Sequence, residues 1–290
     1  SPTIVPGLGV NGQGLVYMHT YGSFGGGSRL HAINVADGTE AWTRDLTGQG
    51  QGAVAYNPSQ NLVYTTVGTD GSWSSGNGGI RALNAATGAD VWLSEGSFEP
   101  LSFGGITYDA ANDRVIAGGY DFYDYAGMLV ADATTGATIS YTGDNMAPSG
   151  DYTPTLGDDN LIYTCGAEFQ DGPFVFAFNA LTGGEVWKSA QGWGGWNQSP
   201  AFALDIGDGT DVVYASDQNG TAIGMFDADT GALLGQIAYG GQAALANGNL
   251  YTIADGQLIA IGPAVVPEPA MVALVTLGGL GALVRRRRRA

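Results

Sequence analysis

The sequence predicts an all-β fold, a β-propeller of four-stranded antiparallel blades, and three observations lead to that prediction. One sequence pattern recurs five times, apolar residues alternate with a period of two, and glycine is abundant at 49 of 290 residues. No stretch of 11 or more residues in the body of the chain shows a helical period. Short strands repeated at an even spacing are typical of propeller blades.

The repeat centres on a glycine turn. Each copy reads as strand, Asx-x-x-Thr-Gly or a close variant, then strand, beginning with Leu30–Trp42 and Ile80–Trp92. The other three copies are Leu129–Ser140, Val175–Trp187 and Ile223–Gly235. The turn glycines are spaced 50, 48, 47 and 48 residues apart: Gly38, Gly88, Gly136, Gly183 and Gly231. Glycine is expected there because a tight hairpin turn needs a positive φ.

A second hairpin precedes each copy. Its apolar runs are Leu15–Tyr17, Leu62–Tyr64, Val115–Ile116, Leu161–Tyr163, Val212–Tyr214 and Leu250–Tyr251. Two hairpins per repeat make a four-stranded sheet, and a ring of such sheets buries each face against a neighbour. We expect Trp42, Trp92 and Trp187 to fill the gaps between blades, and looser packing where Ser140 and Gly235 replace them.

About six blades are visible, the last one incomplete. Its strands fall at 243–246, 249–254 and 257–261, with no fourth. At the other end, Ser1–Ile4 aligns with Thr153–Leu156 and Ser199–Phe202, which begin inner strands. We therefore expect at least one further strand upstream of Ser1. A six-blade ring closed by that strand is the simplest completion, and seven or eight blades stay open.

The Ala-Leu-Asn/Asp-x-x-Thr-Gly-x-x-x-Trp pattern resembles the PQQ-like repeat of quinoprotein-type β-propellers. The resemblance covers roughly residues 1–262, and we assign residues 1–263 as the propeller domain. The Trp-Asp dipeptide of WD40 repeats and the paired glycines of kelch repeats do not occur in it. The resemblance implies the fold more firmly than an activity, because this repeat serves both enzymes and non-catalytic scaffolds.

The carboxyl tail has three parts in order. A linker, 264–269, contains Pro267, Glu268 and Pro269, and residues 270–284 carry no charge. An arginine-rich tail follows at 285–290, with Arg285, Arg286, Arg287, Arg288 and Arg289. We expect 270–284 to form a transmembrane helix. Fifteen helical residues reach only about 22 Å, and a stable span needs roughly 20 residues, which favours a processing signal over a permanent anchor.

This tail resembles the PEP-CTERM sorting signal that exosortases process. An ordinary tail anchor would explain the apolar run and the arginines but not Pro267–Pro269. The resemblance implies cleavage near that motif by an exosortase, after transient insertion in the inner membrane. The body then reaches the cell surface or the extracellular matrix of a bacterium that makes exopolysaccharide. The arginines orient the helix because they stay cytoplasmic.

Charge and cysteine content exclude several classes of protein. Residues 1–284 carry 5 basic and 27 acidic side chains, a net charge of −22, so nucleic acid is not an expected partner. Cys165 is the single cysteine and has no partner for an internal disulfide. With only His19 and His31 besides, the sequence lacks the Cys/His clusters of a zinc site.

The candidate binding residues lie in long, glycine-rich loops that we expect on one face of the ring. They are Trp73, Tyr120, Phe122, Tyr123, Tyr125, Trp193, Trp196 and Asn197. Exposed aromatic rings among glycines are unusual in loops. Flat rings beside hydrogen-bonding groups suit a sugar, which predicts an exopolysaccharide ligand. The alternative is that these rings pack over the blade tops or against a further blade.

Asp205, Asp208 and Asp211 form the best metal candidate. Carboxylates at short intervals around glycine suit Ca²⁺, which takes six to eight oxygen ligands. The spacing does not fit an EF-hand, and ordinary turn chemistry also accounts for it. We expect no other cofactor.

The catalytic alternatives have less support from the residues. His19 and His31 have no nucleophile close in sequence, and Cys165 is expected to be a small buried hydrophobic residue. The resemblance to quinoprotein dehydrogenases implies eight blades, a bound quinone and a vicinal cysteine disulfide. We therefore expect a non-catalytic, exported interaction or glycan-binding module. An extracellular enzyme acting on a polysaccharide, or a quinone-dependent oxidoreductase, remains the alternative.

Overall fold

A computed structural model describes eleven stretches of the chain. They are residues 3–20, 28–46, 52–68, 78–94, 104–118, 127–142, 153–168, 171–194, 199–203, 209–254 and 256–262. These residues form six antiparallel sheets, five of four strands and one of three. We number the sheets blade one to blade six in chain order.

The strands follow one another in sequence within every blade. Blade one contains β1 (Thr3–Val5), β2 (Leu15–Thr20), β3 (Arg29–Asn34) and β4 (Glu40–Asp45). Blade two contains β5 (Ala55–Asn57), β6 (Leu62–Gly68), β7 (Gly78–Asn84) and β8 (Asp90–Leu93). Blade three contains β9 (Ile106–Asp109), β10 (Arg114–Gly118), β11 (Met128–Asp132) and β12 (Thr138–Tyr141).

The second half repeats this order. Blade four contains β13 (Thr155–Leu156), β14 (Leu161–Glu168), β15 (Asp171–Asn179) and β16 (Glu185–Lys188). Blade five contains β17 (Ala201–Ala203), β18 (Val212–Ser216), β19 (Ile223–Asp227) and β20 (Leu233–Ile237). Blade six contains β21 (Ala244–Ala246), β22 (Asn249–Ala254) and β23 (Gln257–Ile261). The one helical element in the described residues is a 3₁₀ turn at Val10–Gly12, so the all-β prediction is confirmed.

The predicted glycine turn joins the third and fourth strands. In blade two, the Asn84 side-chain oxygen accepts hydrogen bonds from the backbone N–H groups of Ala86 and Thr87. The chain then reverses through Gly88 at a φ of 70°. A β-bulge follows in the pairing of β7 with β8, between Ala82 and Leu83. The Asx residue and the glycine determine the turn, so this hairpin can be predicted from the sequence alone.

A tyrosine and a tryptophan of one blade both donate hydrogen bonds to the same backbone carbonyl of the next blade. Tyr17 Oη and Trp42 Nε1 both donate to the Ala85 carbonyl, at 2.8 and 2.9 Å. The two rings also contact each other, with centroids 5.7 Å apart. Buried carbonyls need such donors, and the rings supply apolar cover at the same time. We call this arrangement the Tyr–Trp clamp.

The clamp recurs at two more interfaces. In blade two, Tyr64 and Trp92 donate to the Ala133 carbonyl at 3.0 and 3.1 Å. In blade four, Tyr163 and Trp187 donate to the Ala228 carbonyl at 3.3 and 2.7 Å. These contacts confirm that the tryptophans fill the gaps between blades.

The interface between blades three and four uses different residues. Ile116 stands in the position of the tyrosine, and Ser140 Oγ donates to the Ala180 carbonyl at 2.6 Å. Ile116, Phe176 and Phe178 are fully buried in the core between these two blades. The prediction of looser packing at Ser140 is therefore wrong, because serine keeps the hydrogen bond and phenylalanine supplies the volume. At Gly235 the expectation agrees with the structure, because a Cβ built on that glycine would meet no atom within 4 Å.

Threonines on the innermost strands link successive blades. The hydroxyls of Thr3, Thr107 and Thr155 donate to carbonyls of the following blade or its lead-in, at Val54, Pro154 and Pro200. They place the inner strands side by side, as expected for blades arranged around an axis.

The described residues contain no helix with the length and apolar character to cross a membrane. The predicted linker at 264–269, the helix at 270–284 and the tail at 285–290 lie outside the described residues.

Candidate functional site

The predicted aromatic loops leave the blades at one common end. Segments 69–77 and 119–126, which hold Trp73 and the Tyr120–Tyr125 cluster, connect the second strand of a blade to its third. Connections from a fourth strand to the next blade, such as the one with Trp193 and Trp196, leave the sheet at the same end. We call this end the loop face. The opposite end, with the tight turns of both hairpins, is the turn face.

Trp193 is the one predicted ligand-binding residue within the described part of the chain. It forms an isolated β-bridge with Asp217 and is partly buried. Its ring meets Phe226 of blade five edge-on, with centroids 5.4 Å apart and planes at 83°. This contact gives Trp193 a packing role. The other predicted members, Trp73, Tyr120, Phe122, Tyr123, Tyr125, Trp196 and Asn197, lie outside the described residues.

Asp217 is a loop-face residue that sequence reasoning missed. Its carboxylate accepts hydrogen bonds from the backbone N–H groups of Thr221 and Ala222 and from the Thr221 hydroxyl. Burial alone would raise the pKa of Asp217, but these hydrogen bonds outweigh it and hold the pKa below the usual value. The loop face thus presents a fixed, ionised carboxylate beside the Trp193 backbone.

Asp211, the described member of the proposed metal site, lies on the turn face. Partial burial and the nearby Asp211 charge raise the pKa of Asp158 in blade four. In the described part of the chain, no group of three or more His, Cys, Asp or Glu residues is arranged to hold a metal ion. Asp205 and Asp208 lie outside it, so the calcium site stays a prediction.

His19 lies between blades one and two. Its Nδ1–H donates to the Gly52 carbonyl at 2.8 Å, and its Nε2 accepts from the Thr65 hydroxyl at 2.7 Å. Burial lowers the pKa of His19 to about 4, so the ring is neutral near pH 7. Both ring nitrogens of His19 form hydrogen bonds that join blade one to blade two, so His19 has a structural role.

His31 belongs to a chain of three polar side chains on the outer face of blade one. Its Nδ1 lies 2.7 Å from Glu40 Oε2 and its Nε2 lies 2.9 Å from Thr20 Oγ1. In blade two the corresponding positions hold Arg81 and Asp90, and Asp90 is paired there with Arg44 of blade one. The printed partners of His31 all belong to blade one, so this group links neighbouring strands of that blade.

Cys165 does not fit a quinone site. Its side chain is fully buried inside β14, and burial raises the pKa of the thiol to about 12. A thiol with that pKa is a poor nucleophile near pH 7. The vicinal disulfide implied by the resemblance needs a second cysteine, and these 290 residues contain one.

Two family models match the sequence. Residues 3–139 match the model described as outer membrane protein assembly factor BamB, a PQQ-like repeat model. Residues 265–289 match the PEP-CTERM protein-sorting motif. No curated protein sequence shows a significant match to the chain.

Solved structures of propellers resemble the fold at low sequence identity. Hydrazine synthase from Kuenenia stuttgartiensis matches with a TM-score of 0.61 and 12% identity, over 87% of this chain and 81% of that one. Quinohemoprotein alcohol dehydrogenase from Comamonas testosteroni matches with a TM-score of 0.55 and 18% identity, over 91% of this chain. The Dos1 propeller matches with a TM-score of 0.55 and 9% identity, over 87% of this chain and 66% of that one.

These likenesses define the fold. The chain is a β-propeller protein, and it spans 45% of the length of the quinohemoprotein alcohol dehydrogenase. It carries a PQQ-like repeat domain similar to that of BamB, followed by a PEP-CTERM sorting motif. That motif implies an exported protein that an exosortase processes and sorts to the cell surface.

Proposed function

We propose that this chain is a non-catalytic interaction module of the cell surface or extracellular matrix, and that its loop face binds exopolysaccharide. The observation that carries the proposal is topological. The strands that flank the aromatic loops end together on one face, which supports a common surface for loops distant in sequence. Aromatic rings offer flat apolar area to the faces of sugar rings.

The loop face also has a group for sugar hydroxyls. Asp217 is held ionised by its hydrogen bonds, and it adjoins the connection that contains Trp193 and, further on, Trp196 and Asn197. The close approach of carboxylates inferred for Asp158 and Asp211 lies on the opposite, turn face. A glycosidase needs two carboxyl groups close together at its substrate, and Asp158 and Asp211 do not lie beside the aromatic loops.

The net negative charge of residues 1–284 favours a neutral polymer over an acidic one as the ligand. Residues 1–284 carry a net charge of −22, which repels acidic polymers over the Debye length of about 10 Å at 0.1 M salt. We therefore expect the chain to be retained on an immobilised neutral β-glucan more strongly than on an immobilised uronic-acid polymer at low salt.

Affinity electrophoresis with those two polymers tests the proposal. We expect the double variant Trp73→Ala/Trp196→Ala to be retained on glucan about tenfold less or weaker still. The variant lacks the two indole rings whose apolar faces would be buried against the sugar. The control is Leu181→Ala, an exposed apolar side chain on the turn face, which should leave retention unchanged. Equal retention of the aromatic double variant and the unmodified chain would refute glycan binding by this face.

We also infer that residues 270–284 insert transiently in the inner membrane before processing. The segment is uncharged and the arginines after it are kept cytoplasmic by the positive-inside rule. Its length favours a temporary rather than a lasting span.

A further inference from the structure

The loop between the second and third strands of blade five contains an acceptor pattern for an N-linked glycan. Asn219, Gly220 and Thr221 follow the pattern Asn-x-Ser/Thr, in which the middle residue is not proline. An asparagine in this pattern carries a glycan only on the surface of an exported protein. The PEP-CTERM motif implies that this chain is exported, so the position of Asn219 in the fold decides whether the pattern is usable.

Asn219 stands at the exposed tip of this loop. β18 ends at Ser216 and β19 begins at Ile223, and residues 218–221 between them are exposed. The connection joins a second strand to a third, so it leaves blade five on the loop face. A large, polar substituent on the Asn219 amide would therefore extend into solvent and would not disturb the core of the blade.

The other Asn-x-Ser/Thr runs of the chain lack this setting. The run at 57–59 has proline in the middle, which excludes it. In the run at 197–199, the Ser199 hydroxyl oxygen accepts a hydrogen bond from the Thr153 backbone N–H at 3.1 Å, and the asparagine lies outside the described residues. Asn219 is the acceptor for which the structure shows both the complete pattern and an exposed loop.

In the folded loop, the Thr221 hydroxyl is already engaged. It donates to Asp217 Oδ2 at 2.6 Å, and the Thr221 backbone N–H donates to Asp217 Oδ1 at 2.6 Å. The Ala222 backbone N–H also donates to Asp217 Oδ1, at 3.1 Å. Because the hydroxyl two residues further on distinguishes an acceptor asparagine from any other, a transferase must reach it. The closed loop withholds this group, so Asn219 is a better acceptor before blade five folds than afterwards.

We propose that Asn219 carries an N-linked oligosaccharide, attached during export before the loop closes. The donor is a lipid-linked oligosaccharide pyrophosphate. The Asn219 amide nitrogen forms a bond to C1 of the first sugar, and the bond from C1 to the phosphate oxygen breaks. The electron pair of that bond leaves with the lipid pyrophosphate, and the amide nitrogen gives one proton to a base of the transferase. The proposal does not depend on glycan binding by the aromatic loops.

Mass spectrometry of the full chain, exported in a Gram-negative host, tests the proposal. The host carries an N-oligosaccharyltransferase that accepts an acidic residue two positions before the asparagine, the place of Asp217 in this chain. Residues 189–284 contain no Lys or Arg, so chymotrypsin is used, and cleavage after Tyr214 and Phe226 releases Asn219 in one short peptide. We expect a sugar-containing mass increment on peptide 215–226, localised to Asn219 by electron-transfer fragmentation. An unmodified peptide, or a mass change that corresponds to deamidation alone, would overturn the proposal.

Four variants show whether the transferase recognises the pattern. Asn219→Gln and Thr221→Ala should each lose the modification, whereas Thr221→Ser keeps the hydroxyl and should retain it. The matched control is Asn247→Gln, which changes an exposed asparagine that also precedes a glycine but has Asn249 two residues further on. This control should be modified as fully as the unmodified sequence. Sugar that persists in Asn219→Gln would place the acceptor elsewhere and contradict the assignment.

The order of folding and modification is tested with the same transferase and donor in vitro. The purified, folded full chain is compared with the isolated peptide 215–226, which keeps Asp217 and Thr221 but has no blade to hold the loop closed. We expect the peptide to be modified and the folded chain to be modified far less at equal concentration. Equal modification of the two would show that the closed loop is no barrier and would overturn attachment before folding.

Discussion

The Asp109–Arg114 pair is a charged contact in a place where the other blades use neutral residues. Arg114 Nε and Nη2 donate to Asp109 Oδ2 at 3.1 and 2.6 Å. Both side chains are buried, and Arg114 Nη1 is a buried donor with no partner among the described residues. By register the pair corresponds to Asn57 and Leu62 of blade two. A buried ion pair with an unsatisfied donor contributes little net stability.

Replacing one partner and then both tests this interpretation. Arg114→Leu alone leaves the Asp109 carboxylate buried without its cation, and we expect a loss of about 3–5 kcal/mol in the free energy of unfolding. The double variant Asp109→Asn/Arg114→Leu recreates the pair of blade two. The introduced asparagine keeps the turn, since Asn57 accepts the same backbone hydrogen bonds that Asp109 does. Urea denaturation should show the double variant recovering most of the loss.

The same pair predicts a pH dependence of stability. Burial alone would raise the pKa of Asp109, but hydrogen bonds from Arg114 and Asn112 outweigh it and lower the pKa. A lowered pKa in the folded state adds stability above the unfolded value of about 3.9, and this stability is lost as the pH falls through the folded value. The double variant should lack this component. An identical fall in stability for both proteins between about pH 5 and pH 2 would count against the assignment.

At the scale of the element, the contact of Trp92 with the Gly136 turn sets how closely blades two and three approach. A Cβ on Gly136 would lie 2.5 Å from the Trp92 ring, and its φ of 76° disfavours any side chain. We expect Gly136→Ala to cost roughly 1–2 kcal/mol from the backbone and about 1–3 kcal/mol more from overpacking.

Gly38→Ala is the matched control for that prediction. It changes the same position of the repeat at a φ of 73°, where no atom lies within 4 Å of the new Cβ. Measured by urea denaturation of dilute protein, Gly136→Ala should be less stable than Gly38→Ala by the overpacking cost of about 1–3 kcal/mol. Equal losses would show that the ring contact does not limit blade spacing.

The elements that the sequence predicted correctly are those with a local signal. Strand alternation and the Asx-to-glycine turn reside in neighbouring residues, and Trp42 marks a blade interface because it repeats. Ser140 was misjudged because its acceptor, the Ala180 carbonyl, belongs to another blade. The contact of Trp193 with Phe226 was invisible for the same reason. A contact between residues of different blades that occurs only once produces no repeating pattern in the sequence, so it could not be predicted.

At the scale of the whole molecule, the few cations of the body are already committed. Arg29, Arg44, Arg81 and Arg114 form ion pairs with aspartates, and Lys188 lies 4.7 Å from the centre of the Phe174 ring. Residues 1–284 contain 27 acidic side chains and 5 basic ones, so the acidic side chains are in large excess. A surface with this excess of negative charge repels acidic polymers.

The tail carries the opposite charge to the body, and we expect this separation of charge to orient the tail in the membrane. Five arginines directly follow the uncharged residues 270–284, so the segment is expected to insert with its end toward the cytoplasm. Fifteen residues in a helix span about 22 Å, against a hydrocarbon core of about 30 Å. Such a mismatch costs fractions of a kcal/mol per ångström, which suits a segment held only until it is cut.

A reporter fusion tests both steps together. Residues 264–290 are fused to an exported fluorescent domain in a Gram-negative host that has an exosortase, and we expect the domain to be cleaved and recovered outside the inner membrane. The control replaces Pro267, Glu268 and Pro269 by alanine and leaves the apolar run and the arginines intact. That fusion should stay uncleaved in the inner membrane, because insertion depends on the helix whereas processing depends on the motif. Identical fates for the two fusions would mean that the segment acts as an ordinary anchor.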